Sequence, residues 1–122
     1  MYLVGDDPAR KNETQVLVGK LLRENQRLVT DAEVLQEILH RYMSIRRLDA
    51  IQPAFDTLLH LADEILPIDL ATMERAKQIV LGYRRVSARD AVHLAVMQRH
   101  GIERILSFDA GFDGFPGITR LA

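Results

Sequence analysis

The sequence predicts an α/β domain built on a mainly parallel sheet. Three observations point there. Helix-like segments alternate with short strand-like runs along the whole chain, the pattern of βα units. Helix-start signals follow two of those runs directly, at Thr30 and Asp69, and a third opens the next helix at Ser87. Two carboxylates, Asp90 and Asp109, bracket the last βα unit, one in a helix's first turn and one at a strand's end. A parallel sheet carries both kinds of position to one edge.

The elements follow in order. Asp7-Pro8 opens a first helix, with Asp7 as N-cap and Pro8 at the first helical position. Val16, Leu17, Leu21 and Leu22 give it one apolar face, to about Arg23. Arg27 to Thr30 is a short strand. Thr30-Asp31-Ala32-Glu33 fits a capping box with Thr30 as N-cap, and starts a second helix to about Ile45. Its apolar face uses Val34, Leu35, Ile38, Leu39 and Tyr42. Leu48 to Ala62 reads as a third helix, and Glu64 to Ile68 as a strand. Asp69 caps a fourth helix to about Leu81, stopped by Gly82. Ser87 caps the fifth, and Gly101 ends it. Arg104 to Phe108 is a strand. Gly111, Gly114 and Pro116 punctuate a turn, and Gly117 to Leu121 is a last edge strand.

Composition narrows the function classes. With 48% hydrophobic residues in 122, the chain suits one folded domain with one core. No apolar run approaches the roughly 20 residues of a membrane helix, and Met1 to Pro8 shows no secretion signal, so the cytoplasm is the expected compartment. The absence of cysteine excludes disulfides and thiolate metal sites. A net charge of −1 gives no overall basic field for nucleic acid, although 13 of the 16 basic residues are arginine. Phosphate-loop, dinucleotide-loop, Ser-elbow and zinc-type His motifs are all missing.

The acids carry the functional reading. Asp90 sits three residues after Ser87, where a capping box and the helix dipole account for it without any ligand role. Asp109 and Asp113 could each open a turn. Glu37 borders the apolar face of the second helix, or pairs with Arg41 at i+4. Together, Glu37, Asp90 and Asp109 fall near one predicted end of the sheet. Clustered carboxylates repel unless a cation joins them, and hard oxygens suit Mg2+ or Mn2+ rather than zinc. His93, three residues after Asp90, is either a packed histidine or a catalytic base.

These segments resemble the PIN-domain family, and within it the VapC-type toxins of toxin–antitoxin pairs. The matching text is Val34-Leu35-Gln36-Glu37-Ile38, Ala88-Arg89-Asp90-Ala91-Val92-His93-Leu94-Ala95 and Ile105-Leu106-Ser107-Phe108-Asp109-Ala110-Gly111-Phe112-Asp113. The resemblance implies a three-layer α/β/α fold and a Mg2+- or Mn2+-dependent endoribonuclease, with RNA as substrate, a cognate antitoxin as partner and a homodimer as assembly. It maps the family's acids onto Glu37, Asp90, Asp109 and, as an optional neighbour, Asp113. It also marks a departure: family members begin with a strand bearing an Asp-Thr-Asn-like motif, and Met1 to Val4 reads as the tail of that strand. The expectation is a single PIN-like domain over 1–122, N-terminally incomplete.

The mechanism implied is phosphodiester hydrolysis, with an ion activating water and neutralising transition-state charge. Arg84, Arg85 and Arg89 beside the Asp90 helix start are candidates for phosphate contacts, or an exposed basic loop. Two alternatives remain open: a catalytically impaired module that binds an antitoxin or dimerises, and a phosphohydrolase of small phosphate esters.

Overall fold

The computed structural model describes residues 1–3, 11–83, 85–107, 112–113 and 115–121, without the side chains of 11–15. The expected first-helix cap at Asp7-Pro8 and the turn glycines Gly111 and Gly114 lie outside the described residues.

Five short strands form the sheet: β1 (Tyr2–Leu3), β2 (Val29–Asp31), β3 (Glu64–Leu66), β4 (Arg104–Leu106) and β5 (Thr119–Leu121). Five helices accompany them: α1 (Lys11–Arg23), α2 (Ala32–Ser44), α3 (Ile51–Leu61), α4 (Leu70–Gly82) and α5 (Ala88–Arg99), with a 3-10 turn at Leu48–Ala50. The strand order is β3-β2-β1-β4-β5, and every pairing is parallel. Tyr2 sits opposite both Val29 and Ile105, which places β1 at the centre. Strand order reverses beside β1, between the β2 and β4 sides. In open α/β sheets that reversal, at the strands' carboxyl ends, is where ligand crevices form.

The two-residue period of the strands builds two cores. Tyr2, Val29, Leu66 and Ile105 face α4 and α5 and pack with Ala76, Ile79, Leu94, Met97 and Phe112. Leu3 and Leu106 turn to the other face and pack with Val18 and Leu21 of α1, Val34 of α2 and Leu58 of α3. The result is three layers, with α1 to α3 on one side of the sheet and α4 and α5 on the other. α5 is buried continuously from Ala91 to Met97, as a helix covered on all sides must be. Arg99 fixes α5 to α4 by donating from Nη1 to Asp69 Oδ1 at 2.6 Å and Thr72 Oγ1 at 2.7 Å.

Four local expectations change. The buried face of α1 is Val18 and Leu21 with Leu17 beside them, while Val16 and Leu22 are exposed. The N-cap of α2 is Asp31, whose Oδ1 accepts from Val34 N at 3.2 Å. Thr30 instead belongs to β2, and its hydroxyl donates to Leu3 O at 2.6 Å. Gly82 is the last residue of α4 and needs no left-handed turn, because Tyr83 leaves in extended conformation. Gly101 does end α5 with φ of 65°, a conformation glycine adopts at no steric cost. The third helix is split, its first residues winding as the 3-10 turn.

Candidate metal and nuclease site

The candidate site grows from the end of β2. Asp31 is the last residue of that strand and the cap of α2, so its carboxylate projects where a strand's carboxyl end meets a helix N-terminus. It is fully buried. Oδ1 serves the cap; Oδ2 accepts from His93 Nδ1 at 2.7 Å. His93, on α5, is equally buried, and its other ring nitrogen, Nε2, lies 2.9 Å from Glu37 Oε1. One imidazole thus joins the α2 cap to a glutamate almost two turns further along α2.

Both ring nitrogens face carboxylate oxygens. A neutral imidazole has one N–H, so two such bonds require the imidazolium. Burial opposes that charge, yet hydrogen bonds and charge from Asp31 and Glu37 outweigh it and push the His93 pKa up to about 9. Tyr2, at the sheet's centre, places its ring edge-on to His93 with centroids 6.0 Å apart. Its hydroxyl stands 3.4 Å from Nδ1, a contact too long to compete with Asp31.

Glu37 receives a second cation. Arg89 Nε lies 3.4 Å from the same Oε1. Arg89 and His93 belong to the first two turns of α5 and flank Asp90 in sequence, so Glu37 packs against the helix start that bears Asp90. Glu37 Oε2 accepts no hydrogen bond among the described residues. Glu33, a turn earlier, has its carboxyl pKa raised by burial and by the Glu37 charge. Ser87 caps α5 as expected, its hydroxyl accepting from Asp90 N at 3.1 Å. The Asp90 carboxylate therefore stands at the positive end of a helix dipole.

The remaining candidates separate. Asp109 and Arg84 lie outside the described residues. Arg85 is exposed. Asp113 is held by Arg120 in a two-point fork, Nε to Oδ1 at 2.7 Å and Nη2 to Oδ2 at 3.0 Å, and the guanidinium keeps its carboxyl below the usual range. It would join a ligand set only by giving up that fork. Among the described residues, no three His, Asp or Glu side chains already stand in metal-holding geometry. The donor chemistry nevertheless fits a hard cation: one carboxylate oxygen of Glu37 is pinned and the other accepts no hydrogen bond among the described residues, beside the helix start that carries Asp90.

Sequence reasoning missed Asp31, because assigning the cap to Thr30 left Asp31 as an ordinary first-turn residue. Its signal was present: a cap aspartate directly after a buried strand, with an unassigned histidine further along on α5.

An all-parallel three-layer domain with acids at its carboxyl edge defines the class. The chain belongs to the PIN-domain family, whose model matches residues 1–118. It is 54% identical over 122 residues to Ribonuclease VapC13 of Mycobacterium tuberculosis, covering 100% of this chain and 93% of that protein. A VapC ribonuclease of Mycobacterium bovis matches to the same extent. Ribonuclease VapC23 of Mycobacterium tuberculosis is 35% identical over 109 residues, 89% of this chain and 86% of that protein. Among solved structures, VapC20 of Mycobacterium tuberculosis, a sarcin–ricin loop cleaving toxin, superposes with a TM-score of 0.71 at 20% identity, covering 96% of this chain and 97% of that one. The DNA-bound VapBC of Salmonella typhimurium superposes with a TM-score of 0.74 at 12% identity, covering 98% and 96%. The expected family and three-layer fold are borne out.

Proposed function

We propose that this protein is the endoribonuclease toxin of a toxin–antitoxin pair, acting in the cytoplasm with Mg2+ or Mn2+. Identity of 54% to ribonucleases over the whole chain supports the reaction class. One structural observation carries the site: Glu37 is pinned by His93 and Arg89 against the start of α5, beside Asp90.

Glu37, Asp90 and Asp109 are the proposed ligands. Asp113 is a fourth candidate only if released from Arg120. A divalent ion held by these carboxylates would supply Lewis acidity to an attacking water and counter-charge to the substrate phosphate. The chain's own residues set the geometry. Asp90 sits in the first turn of α5, at the positive end of its dipole. Glu37 has Oε1 held by His93 and Arg89, and its Oε2 accepts no hydrogen bond among the described residues. Arg84, Arg85 and the exposed part of Arg89 are proposed to meet substrate phosphates. A cognate antitoxin and a second copy of the chain are the proposed partners. The test is cleavage of a structured RNA with Mn2+ present. Cleavage abolished by excess EDTA and by Asp90→Asn supports the reading; cleavage surviving either one refutes it.

A second reading keeps the fold without the chemistry: a partner-binding module with an impaired site. It is favoured by exposed Met43, Ile45 and Leu48 where α2 leads into the 3-10 turn. No heat or thermal shift with millimolar Mn2+ would select it.

A further inference from the structure

The most unusual group in the interior is His93. It is fully buried in α5, yet it is spent neither on packing alone nor on a backbone partner. Each ring nitrogen meets a carboxylate from a different part of the chain, Asp31 at the end of β2 and Glu37 on α2. Asp31 is itself anchored, since its other oxygen caps α2. The order is therefore fixed support, bridge, then Glu37, whose second oxygen accepts no hydrogen bond among the described residues.

We infer that His93 is a positioning residue for the metal site. Held from behind by Asp31, it fixes the rotamer of Glu37 and directs Oε2 toward the ion. The inference rests on the reading of Glu37 as a ligand given above. Its physical basis is twofold. A glutamate has three side-chain torsions to immobilise, and a bond from a buried ring restricts them before any ion arrives. The ring also separates buried Asp31 from Glu37, two carboxylates that would otherwise repel beside Glu33, whose own pKa is raised by burial and by the Glu37 charge. Partners that orient a ligating carboxylate in this way are typically worth about 10–100-fold in metal affinity. Arg89 contacts the same oxygen from the exposed side and cannot substitute, because its side chain is more than half exposed and its Nε is 3.4 Å away.

The test is calorimetric titration of the full chain with Mn2+, for the parent protein, Glu37→Gln and His93→Gln, with far-ultraviolet circular dichroism to confirm folding. Glutamine carries both its N–H donors on one nitrogen, so it can hold one carboxylate but cannot reach Asp31 and Glu37 from two separate nitrogens as the imidazole does. The expected result is a roughly 10–100-fold weaker Mn2+ affinity in folded His93→Gln, and a larger loss in Glu37→Gln. Parent-like affinity in His93→Gln overturns the positioning role while leaving Glu37 as a ligand. Parent-like affinity in Glu37→Gln overturns the reading of Glu37, and this inference with it. A second measurement needs no variant that must fold. Ring 15N–1H resonances of His93 in the parent chain are followed as Mg2+ is added. They should move saturably, with the midpoint of a parallel calorimetric titration of the parent chain with Mg2+. Resonances unmoved at saturation overturn the inference.

Discussion

Asp31 Oδ2 and His93 Nδ1 lie 2.7 Å apart in the interior, 62 residues apart in sequence and both without solvent exposure. This pair ties the end of β2 to the middle of α5 through the central layer. It makes a buried cation part of the fold, and the consequences are measurable.

The first is pH-dependent stability. The folded pKa of His93 is raised from 6.5 to about 9. A raised basic pKa contributes stability that is complete below about pH 6.5, where the unfolded chain is protonated too. The contribution fades as pH rises and is gone once pH has passed through about 9. Its full size is on the order of 3 kcal/mol. Urea melts at pH 6.5 and 9.5 should differ by about that amount; equal midpoints would show that His93 is neutral in the folded protein.

Removing the support should cost more than removing a surface pair. Asp31→Ala deletes the helix cap and leaves the imidazolium with one partner. Breaking a buried pair in this way costs about 3–5 kcal/mol. The same variant should flatten the pH dependence between 6.5 and 9.5, because His93 loses a carboxylate that holds its proton. A variant as stable as the parent would place Asp31 outside the core network.

Asp113 and Asp90 should behave differently. Asp113 is half-exposed and forked by Arg120, so Asp113→Asn should leave most of the Mn2+ affinity in place. Asp90→Asn should reduce that affinity by about tenfold or more. Equal losses would move Asp113 into the ligand set.

The packing of α5 sets a further expectation. Leu94 is fully buried between the sheet and α4. Leu94→Ala should destabilise by about 2–5 kcal/mol in chemical denaturation. A loss below about 1 kcal/mol would mean that this core collapses around the cavity.

Much of the fold was legible because local signals agreed with the tertiary result. Asp69 and Ser87 are caps in both the sequence and the structure, and Gly101 ends α5 as its permissive backbone suggests. The edge position of β5 also followed from its weak apolar character. What failed was decided at longer range. Thr30 and Asp31 are both good caps; Thr30 was drawn into β2 by its bond to Leu3 O, 27 residues away. The α1 face rotated toward Val18 because packing on Leu3 and Leu106 selects it, and periodicity alone cannot. For the site, the sequence put Glu37, Asp90 and Asp109 near one end of the sheet, and in the structure Glu37 meets Arg89 and His93 at the start of α5. The bridge was not anticipated, because its partners Asp31 and His93 are joined only when α2 and α5 meet the sheet from opposite sides.

The central claim is that Glu37 and Asp90 share an ion. Anomalous diffraction from crystals soaked in MnCl2 tests it directly. The account predicts a manganese peak about 2.0–2.2 Å from a carboxylate oxygen of each. A peak elsewhere, or none at saturating Mn2+, would contradict it.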